Sequence, residues 1–98
     1  MITRDGDRLL VSGRLTMETV ATLFNTVLQP AGDGALVVDL EKVEAVDSAA
    51  VSLLLSWMRR AQSTRVTISF INAPASLLSL ARLYGVAELL PLHQVAMP

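Results

Sequence analysis

The stretch VVDLEKVEAVDSAAVSLLL, residues 37–55, joins the two kinds of element that decide the fold of this chain. It begins inside an almost continuous apolar run, ALVVDL at residues 35–40, which is typical of a central strand. It ends in a helical pattern that starts at Asp47 or Ser48 and runs to about Gln62. A strand that leads into a helix predicts a β-α unit, and hence parallel pairing with the next strand.

The whole chain predicts the order β-β-α-β-α-β-α. The elements expected outside the opening stretch are a hairpin turn at Asp5 and Gly6, a strand at residues 8–13, a helix capped by Thr16 and closed by Pro30, a strand at residues 65–71, a helix from Pro74 to Gly85 with Tyr84 on its inner face, and a last helical turn at residues 86–91. The strand at residues 65–71 alternates apolar and polar side chains, so one face is drier than the other. We therefore expect an α/β fold with helices on one side of the sheet.

Composition limits the classes of protein to consider. With 98 residues, of which 52% are apolar and 17% charged, the chain predicts one compact domain over residues 1–98. A net charge of −1 with scattered basic residues argues against nucleic-acid binding, and the absence of cysteine excludes disulfides. The charged start MITRDGDR and the lack of an apolar run near ~20 residues predict a cytoplasmic protein with no membrane insertion.

The helix over residues 47–62 has more apolar surface than one core needs. At about 100° per residue, Val51, Leu54, Leu55 and Met58 form one stripe, which we take as the core seam. A second apolar arc holds Ala49, Ala50, Leu53 and Trp57, and the polar side holds Ser48, Ser52, Ser56 and Arg59. The apolar side chains of the second arc must be buried against another part of this chain or against a partner.

Two accounts explain the second arc. A neighbouring loop, or the helix near Tyr84, could cover Leu53 and Trp57 within the same chain. Alternatively, the arc is an exposed patch for another protein, since tryptophan is enriched at binding hot spots. We expect the second, with Trp57→Glu or Leu53→Asp leaving the fold intact but abolishing partner binding. Such a patch would also allow the free protein to form a homodimer.

The start of this helix adds to the expected interface. DSAA at residues 47–50 places four short side chains at a helix N-terminus, which lets another backbone approach closely. Capping alone would account for Asp47 or Ser48. The expected partner interface is therefore made of seven residues: Asp47, Ser48, Ala49, Ala50, Ser52, Leu53 and Trp57.

These residues resemble a known signature. A strand ending in Asp-Leu that leads to Asp-Ser at a helix start, as in residues 37–55, is similar to STAS domains, which include bacterial anti-sigma factor antagonists. The resemblance covers most of the chain, including LYGVAELLP at residues 83–91, and is strongest for the STAS subunit of Mla-type lipid transport complexes. It implies a STAS-type fold with a mixed four- to five-stranded sheet and helices packed on one side.

The resemblance also implies a function. A member of the Mla branch would be a non-catalytic docking subunit that binds the cytoplasmic ATPase of a phospholipid ABC transporter, and so lies at the inner membrane through that complex. The alternative is an anti-sigma factor antagonist whose partners are an anti-sigma factor and a serine kinase that phosphorylates Ser48. Ser48 is therefore expected to be a phospho-acceptor or an interface hydroxyl. Ala49 and Ala50 and the bulky Trp57 depart from the antagonist pattern, which weakens kinase recognition at Ser48.

Catalytic chemistry has no visible basis in the sequence. There is no phosphate-binding glycine loop before a helix, and Gly32 and Gly34 precede a strand instead. Ser52 and Ser56 have no evident general base beside them in sequence. We predict no enzyme activity, no catalytic residue, no metal and no cofactor.

Overall fold

A five-stranded sheet forms the centre of the molecule. The structure, a computed structural model, describes residues 2–26, 28, 34–90 and 92–93, the last two by their backbone only. The elements in chain order are β1 (Ile2–Asp5), β2 (Arg8–Leu15), α1 (Met17–Val20), β3 (Ala35–Val46), α2 (Ser48–Ser63), β4 (Thr67–Ile71), α3 (Ala75–Leu83) and β5 (Leu92–His93). The strand order is β1-β2-β3-β4-β5, with β1 antiparallel to β2 and the other pairs parallel. The predicted mixed sheet is confirmed.

The N-terminal hairpin turns where the sequence indicates. Asp5 pairs with Arg8, and Gly6 has a φ of 60°, a backbone conformation that glycine adopts without steric cost. The strand that follows is longer than predicted, because it runs to Leu15.

One face of the sheet carries the core. Leu9, Val38 and Phe70 are in register across β2, β3 and β4, and all three are buried. The alternate residues along the same strands, such as Arg8, Val37 and Ser69, point to the other face and are exposed or half-buried. The helices pack on the buried face, as expected from the one-sided alternation of β4.

The first helix is much shorter than predicted. It ends at Val20, and residues 21–25 form turns; Pro30, the predicted stop, lies outside the described residues. The hydroxyls of Thr22 and Thr26 donate to the carbonyls of Thr19 and Leu23, at 3.0 and 2.7 Å. Such local bonds compete with regular helix formation, which the apolar spacing alone did not take into account.

The third strand is longer than predicted. The apolar run that predicted this strand covers residues 35–40, but β3 continues to Val46 and pairs with β2 along its length. Two register shifts, opposite Leu10–Ser12 and Gly13–Arg14 of β2, each place one extra residue in β3. The strand therefore delivers the chain directly to the start of α2.

The C-terminal part departs from prediction in two details. Leu77 and Ala81 on α3 are buried as expected, and Gly85 follows the helix with a φ of 70°. Tyr84 was predicted to face inward but is 51% exposed, because the helix ends before it. After Gly85 the chain forms turns rather than a further helical turn, and it then adds β5 at the edge of the sheet.

Candidate functional site

The buried face of α2 is wider than one helical stripe. Its buried residues are Ala50, Val51, Leu53, Leu54, Trp57 and Ala61. At about 100° per residue they span roughly 160° of the helix circumference. The helix is covered on this arc by the sheet, by α3 and by the segment that begins with α1.

The predicted exposure of Ala50, Leu53 and Trp57 is wrong. Each of these side chains is 0% exposed, so none can contact a partner on the folded surface. The apolar patch that we expected to support a homodimer is therefore inside the monomer. Of the predicted core seam, Val51 and Leu54 are buried, whereas Leu55 and Met58 are only half-buried. The true core arc is thus rotated by roughly a quarter turn from the predicted one.

The turns after α1 provide part of the cover over Trp57. The indole Nε1 donates to the backbone carbonyl of Leu23 at 3.2 Å. Leu23 and Phe24, in the turns after α1, are half-buried and pack against the core. The turns at residues 21–25, which we predicted to be part of the first helix, therefore pack over the apolar flank of α2.

Asp47 joins the starts of two helices. Its Oδ1 accepts from the backbone N–H of Ala49 at 2.8 Å, which caps α2. Its Oδ2 accepts from the backbone N–H of Met17 at 2.9 Å, which holds the start of α1 beside it. Both carboxylate oxygens are thus used within the chain, and the role of Asp47 is to shape this end of the molecule.

The outward face of α2 forms a ridge. We call the α2 ridge the five residues Ser48, Ser52, Leu55, Ser56 and Arg59. Ser48, Ser52 and Arg59 are exposed, and Leu55 and Ser56 are half-buried. Three of the five are serines spaced by four residues, so small hydroxyl side chains lie along one line of the helix.

A groove runs along each side of the α2 ridge. The first, of about 410 Å³, lies towards Phe24 and is also lined by Arg60. The second, of about 240 Å³, lies towards Tyr84 and Val86. Ser52 and Leu55 line both grooves, so the ridge and the grooves form one continuous surface.

Four of the seven predicted interface residues lie at the surface. Ser48 and Ser52 are exposed, and Asp47 and Ala49 are half-buried at the surface. The predicted interface did not include Leu55 and Arg59 on the ridge, or Phe24, Arg60, Tyr84 and Val86 beside it. The serine spacing on the polar side of the helix was the signal that could have located the ridge.

A second polar cluster surrounds Asp39, the aspartate of the strand signature. Asp39 is 6% exposed on the face of the sheet away from the helices. Its Oδ1 accepts from the backbone N–H of Glu41 at 3.0 Å and from the side-chain amide of Asn72 at 3.1 Å, and its Oδ2 lies 3.7 Å from Arg8 Nη1. These contacts tie β2, β3 and the end of β4 together, which is a structural role.

The described residues offer little for other kinds of site. They contain no group of three or more His, Cys, Asp or Glu side chains placed to hold a metal ion. None of the helices in the described part of the chain has the length and apolar character required to span a bilayer.

Comparison with known proteins agrees with the fold. The anti-sigma factor antagonist SpoIIAA in its unphosphorylated form superposes with a TM-score of 0.69 at 16% sequence identity, over 98% of this chain and 87% of that one. The Bacillus cell fate determinant SpoIIAA in the phosphorylated form gives a TM-score of 0.66 at 14% identity, over 98% and 90%. At these identities the likeness shows a shared fold.

The family follows from the sequence. No curated protein gives a significant sequence match. The family model described as "Mlab, STAS domain" matches residues 1–91. The chain therefore belongs to the Mlab-type STAS domain family.

Proposed function

We propose that this chain is a non-catalytic docking subunit that binds the cytoplasmic ATPase of an Mla-type phospholipid ABC transporter through the α2 ridge. Membership of the Mlab-type STAS family supports the choice of partner. We choose the α2 ridge as the docking surface because it is an outward helix face with a groove on each side. In this proposal the chain lies in the cytoplasm, peripheral to the inner membrane through its partner.

The ridge has the physical character of a docking face. Its serines are short, so a partner helix can approach the backbone of α2 closely. Near its N-terminal end lie two large apolar side chains, Met17 and Tyr84, which are 75% and 51% exposed. Met17 is held close to the helix start by Asp47, and Tyr84 lines the second groove with Ser48. Apolar anchors beside small polar residues are typical of interface hot spots and the contacts around them.

Ser48 lies at the sensitive end of this surface. It is the first residue of α2 and is exposed. An unmodified hydroxyl can donate to a partner, whereas a phosphate would add roughly −1.5 to −2 charge. The free helix N–H groups would favour that charge within the monomer. A docked partner would have to desolvate it, so phosphorylation would weaken docking.

The second candidate function rests on the same serine. An anti-sigma factor antagonist would bind an anti-sigma factor and lose that partner when a serine kinase phosphorylates Ser48. The exposure of Ser48 at a helix start is the observation that favours it. The burial of Trp57 removes one objection, because that bulky side chain does not obstruct the surface next to Ser48.

Co-purification separates the two candidates. The tagged chain is co-expressed with the ATPase of the Mla-type transporter from the same genome and, separately, with each serine kinase of the anti-sigma type found there. We expect a stable complex with the ATPase and no mass increase at Ser48 in the kinase arm. A phosphate on Ser48 together with no ATPase complex would replace the transporter proposal by the antagonist.

A further inference from the structure

The two grooves beside the α2 ridge differ in charge. We call the second of them the Tyr84 groove; it is lined by Ser48, Val51, Ser52, Leu55, Tyr84 and Val86, none of which is charged. The groove beside Phe24 is lined by two arginines, Arg59 and Arg60. A protein on the ridge would therefore meet a neutral groove on one side and a cationic groove on the other.

The Tyr84 groove combines apolar walls with hydroxyl groups. Val51 is the most buried of its residues, at 4% exposed, and Leu55 and Val86 are half-buried. Tyr84 is 51% exposed, so its ring presents apolar surface to water in the free chain. Covering such surface is favourable, since the gain is roughly proportional to the apolar area removed from water.

The size of the Tyr84 groove limits what it can hold. Its volume is about 240 Å³. Pockets for small molecules and cofactors usually have volumes of roughly 300–1,000 Å³, with several polar groups that fix the orientation of the ligand. The Tyr84 groove is smaller than this range, and hydroxyls are its only polar side-chain groups. It suits one large side chain better than a separate small molecule.

A carboxylate is a poor match for this groove, although Ser48 lies at the start of a helix. The carboxylate of Asp47 already accepts from the N–H of Ala49 at 2.8 Å, and its backbone carbonyl accepts from the N–H of Ala50 at 3.0 Å. Asp47 thus supplies the negative charge that a helix start favours. Since none of the lining residues is basic, a carboxylate from a partner would lose its hydration without gaining a cation.

We propose that the Tyr84 groove receives one large apolar side chain, such as leucine, methionine or phenylalanine, of the protein docked on the α2 ridge. This inference rests on the proposed function, because it assigns the chemistry of one contact within that surface. Ser48, Ser52 and Leu55 belong to both the ridge and the groove, so a protein on the ridge covers the groove without a second interface. Tyr84 is the residue that determines specificity, because its ring forms the exposed wall of the groove.

The first test uses the chain alone. The methyl signals of Leu55 and Val86 are followed by carbon-13 NMR as N-acetyl-leucine amide is added, with those of Leu83 as the internal control. Leu83 is 75% exposed but does not line the groove. We expect saturable shifts for Leu55 and Val86, small non-saturating changes for Leu83, and much weaker effects from N-acetyl-aspartate amide. Equal effects of the two probes, or no response to the leucine probe, would overturn the inference whether or not the ATPase binds.

The second test uses the partner. Tyr84→Asp places a charge on the groove wall, Tyr84→Phe removes only the hydroxyl, and Leu83→Asp is the matched control at the adjacent, more exposed position. We expect ATPase binding at least about tenfold weaker for Tyr84→Asp, and within about twofold of the wild type for Tyr84→Phe and Leu83→Asp. Because both side chains are exposed, the melting temperatures of all three variants should stay close to that of the wild type.

The outcomes distinguish the two proposals. A wild-type chain that responds to the leucine probe but does not bind the ATPase sinks the proposed function and leaves the apolar preference of the groove standing. ATPase binding that Tyr84→Asp does not change overturns the groove contact alone. An equal loss of binding in Tyr84→Asp and Leu83→Asp would assign the effect to the exposed end of α3 as a whole and would also overturn the inference.

Discussion

The indole Nε1 of Trp57 donates a hydrogen bond to the backbone carbonyl of Leu23 at 3.2 Å. This bond joins the middle of α2 to the turns after α1, two places that are far apart in sequence. Because the indole is fully buried there, the apolar flank of α2 is closed within the monomer. The side of α2 that remains at the surface is the opposite one, the α2 ridge.

Substitutions of Trp57 should therefore affect folding. Trp57→Ala should lower the free energy of unfolding by about 3–5 kcal/mol through lost burial and a cavity. If residue 57 were exposed, Trp57→Glu would fold normally. Because the site is buried, we expect little folded protein for this variant, since it would bury a charge without a partner. Urea unfolding followed by circular dichroism measures both. A folded, cooperative Trp57→Glu variant would contradict the burial described here.

Asp47 and Ser48 are adjacent, and their substitutions should have different effects. Asp47→Ala removes the acceptor of two backbone N–H groups, those of Ala49 and Met17, and should cost about 1–3 kcal/mol of stability. Ser48→Ala changes an exposed side chain and should stay within about 0.5 kcal/mol. Denaturant midpoints of the two variants test this difference. Equal effects would show that Asp47 does not join the two helices.

The cluster around Asp39 predicts an asymmetry between two charged partners. Asp39→Ala leaves the amide of Asn72 and the N–H of Glu41 without their acceptor and should cost about 1–3 kcal/mol. Arg8→Gln removes only a contact of 3.7 Å from a side chain that is 52% exposed, so its effect should be below about 1 kcal/mol. Chemical denaturation of both variants gives the comparison. A larger cost for Arg8→Gln would assign the cluster's stability to the ion pair.

A negative charge at Ser48 should separate stability from binding. Ser48→Glu places an anion at the first position of α2, where the helix dipole favours it, so the melting temperature should stay the same or rise slightly. ATPase binding should weaken, since docking would remove that charge from water. Calorimetric melting and an affinity measurement on the same sample test the two effects. Unchanged affinity would place Ser48 outside the interface.

Much of the fold could be predicted from local sequence patterns. The hairpin at Asp5 and Gly6, the strand into Asp39 and the helix from Ser48 follow from turn chemistry, apolar runs and capping. Apolar spacing does not predict that α1 ends early. The hydroxyls of Thr22 and Thr26 bond to nearby backbone carbonyls, and such bonds compete with a regular helix. The full length of β3 depends on pairing with β2, a contact that local patterns do not contain.

The apolar flank of α2 that we predicted to be exposed is buried. Helical periodicity gives the relative positions of side chains around α2, but it does not say how many neighbours cover the helix. A core of one stripe would have left Leu53 and Trp57 uncovered, whereas the turns at residues 21–25 widen the covered arc. The sequence shows the serines on the polar side of the helix. Only the structure shows that a groove lies on each side of them.

The affinity of a Ser52→Glu variant for the ATPase tests the docking surface most directly. Ser52 is exposed at the centre of the α2 ridge and lines both grooves, so a longer, charged side chain there should block docking without disturbing the fold. Ser79→Glu, the same change at an exposed position of α3, is the control. We predict binding at least about tenfold weaker for Ser52→Glu and within about twofold of wild type for Ser79→Glu, at equal melting temperatures. Wild-type affinity in Ser52→Glu would show that the partner does not bind the α2 ridge.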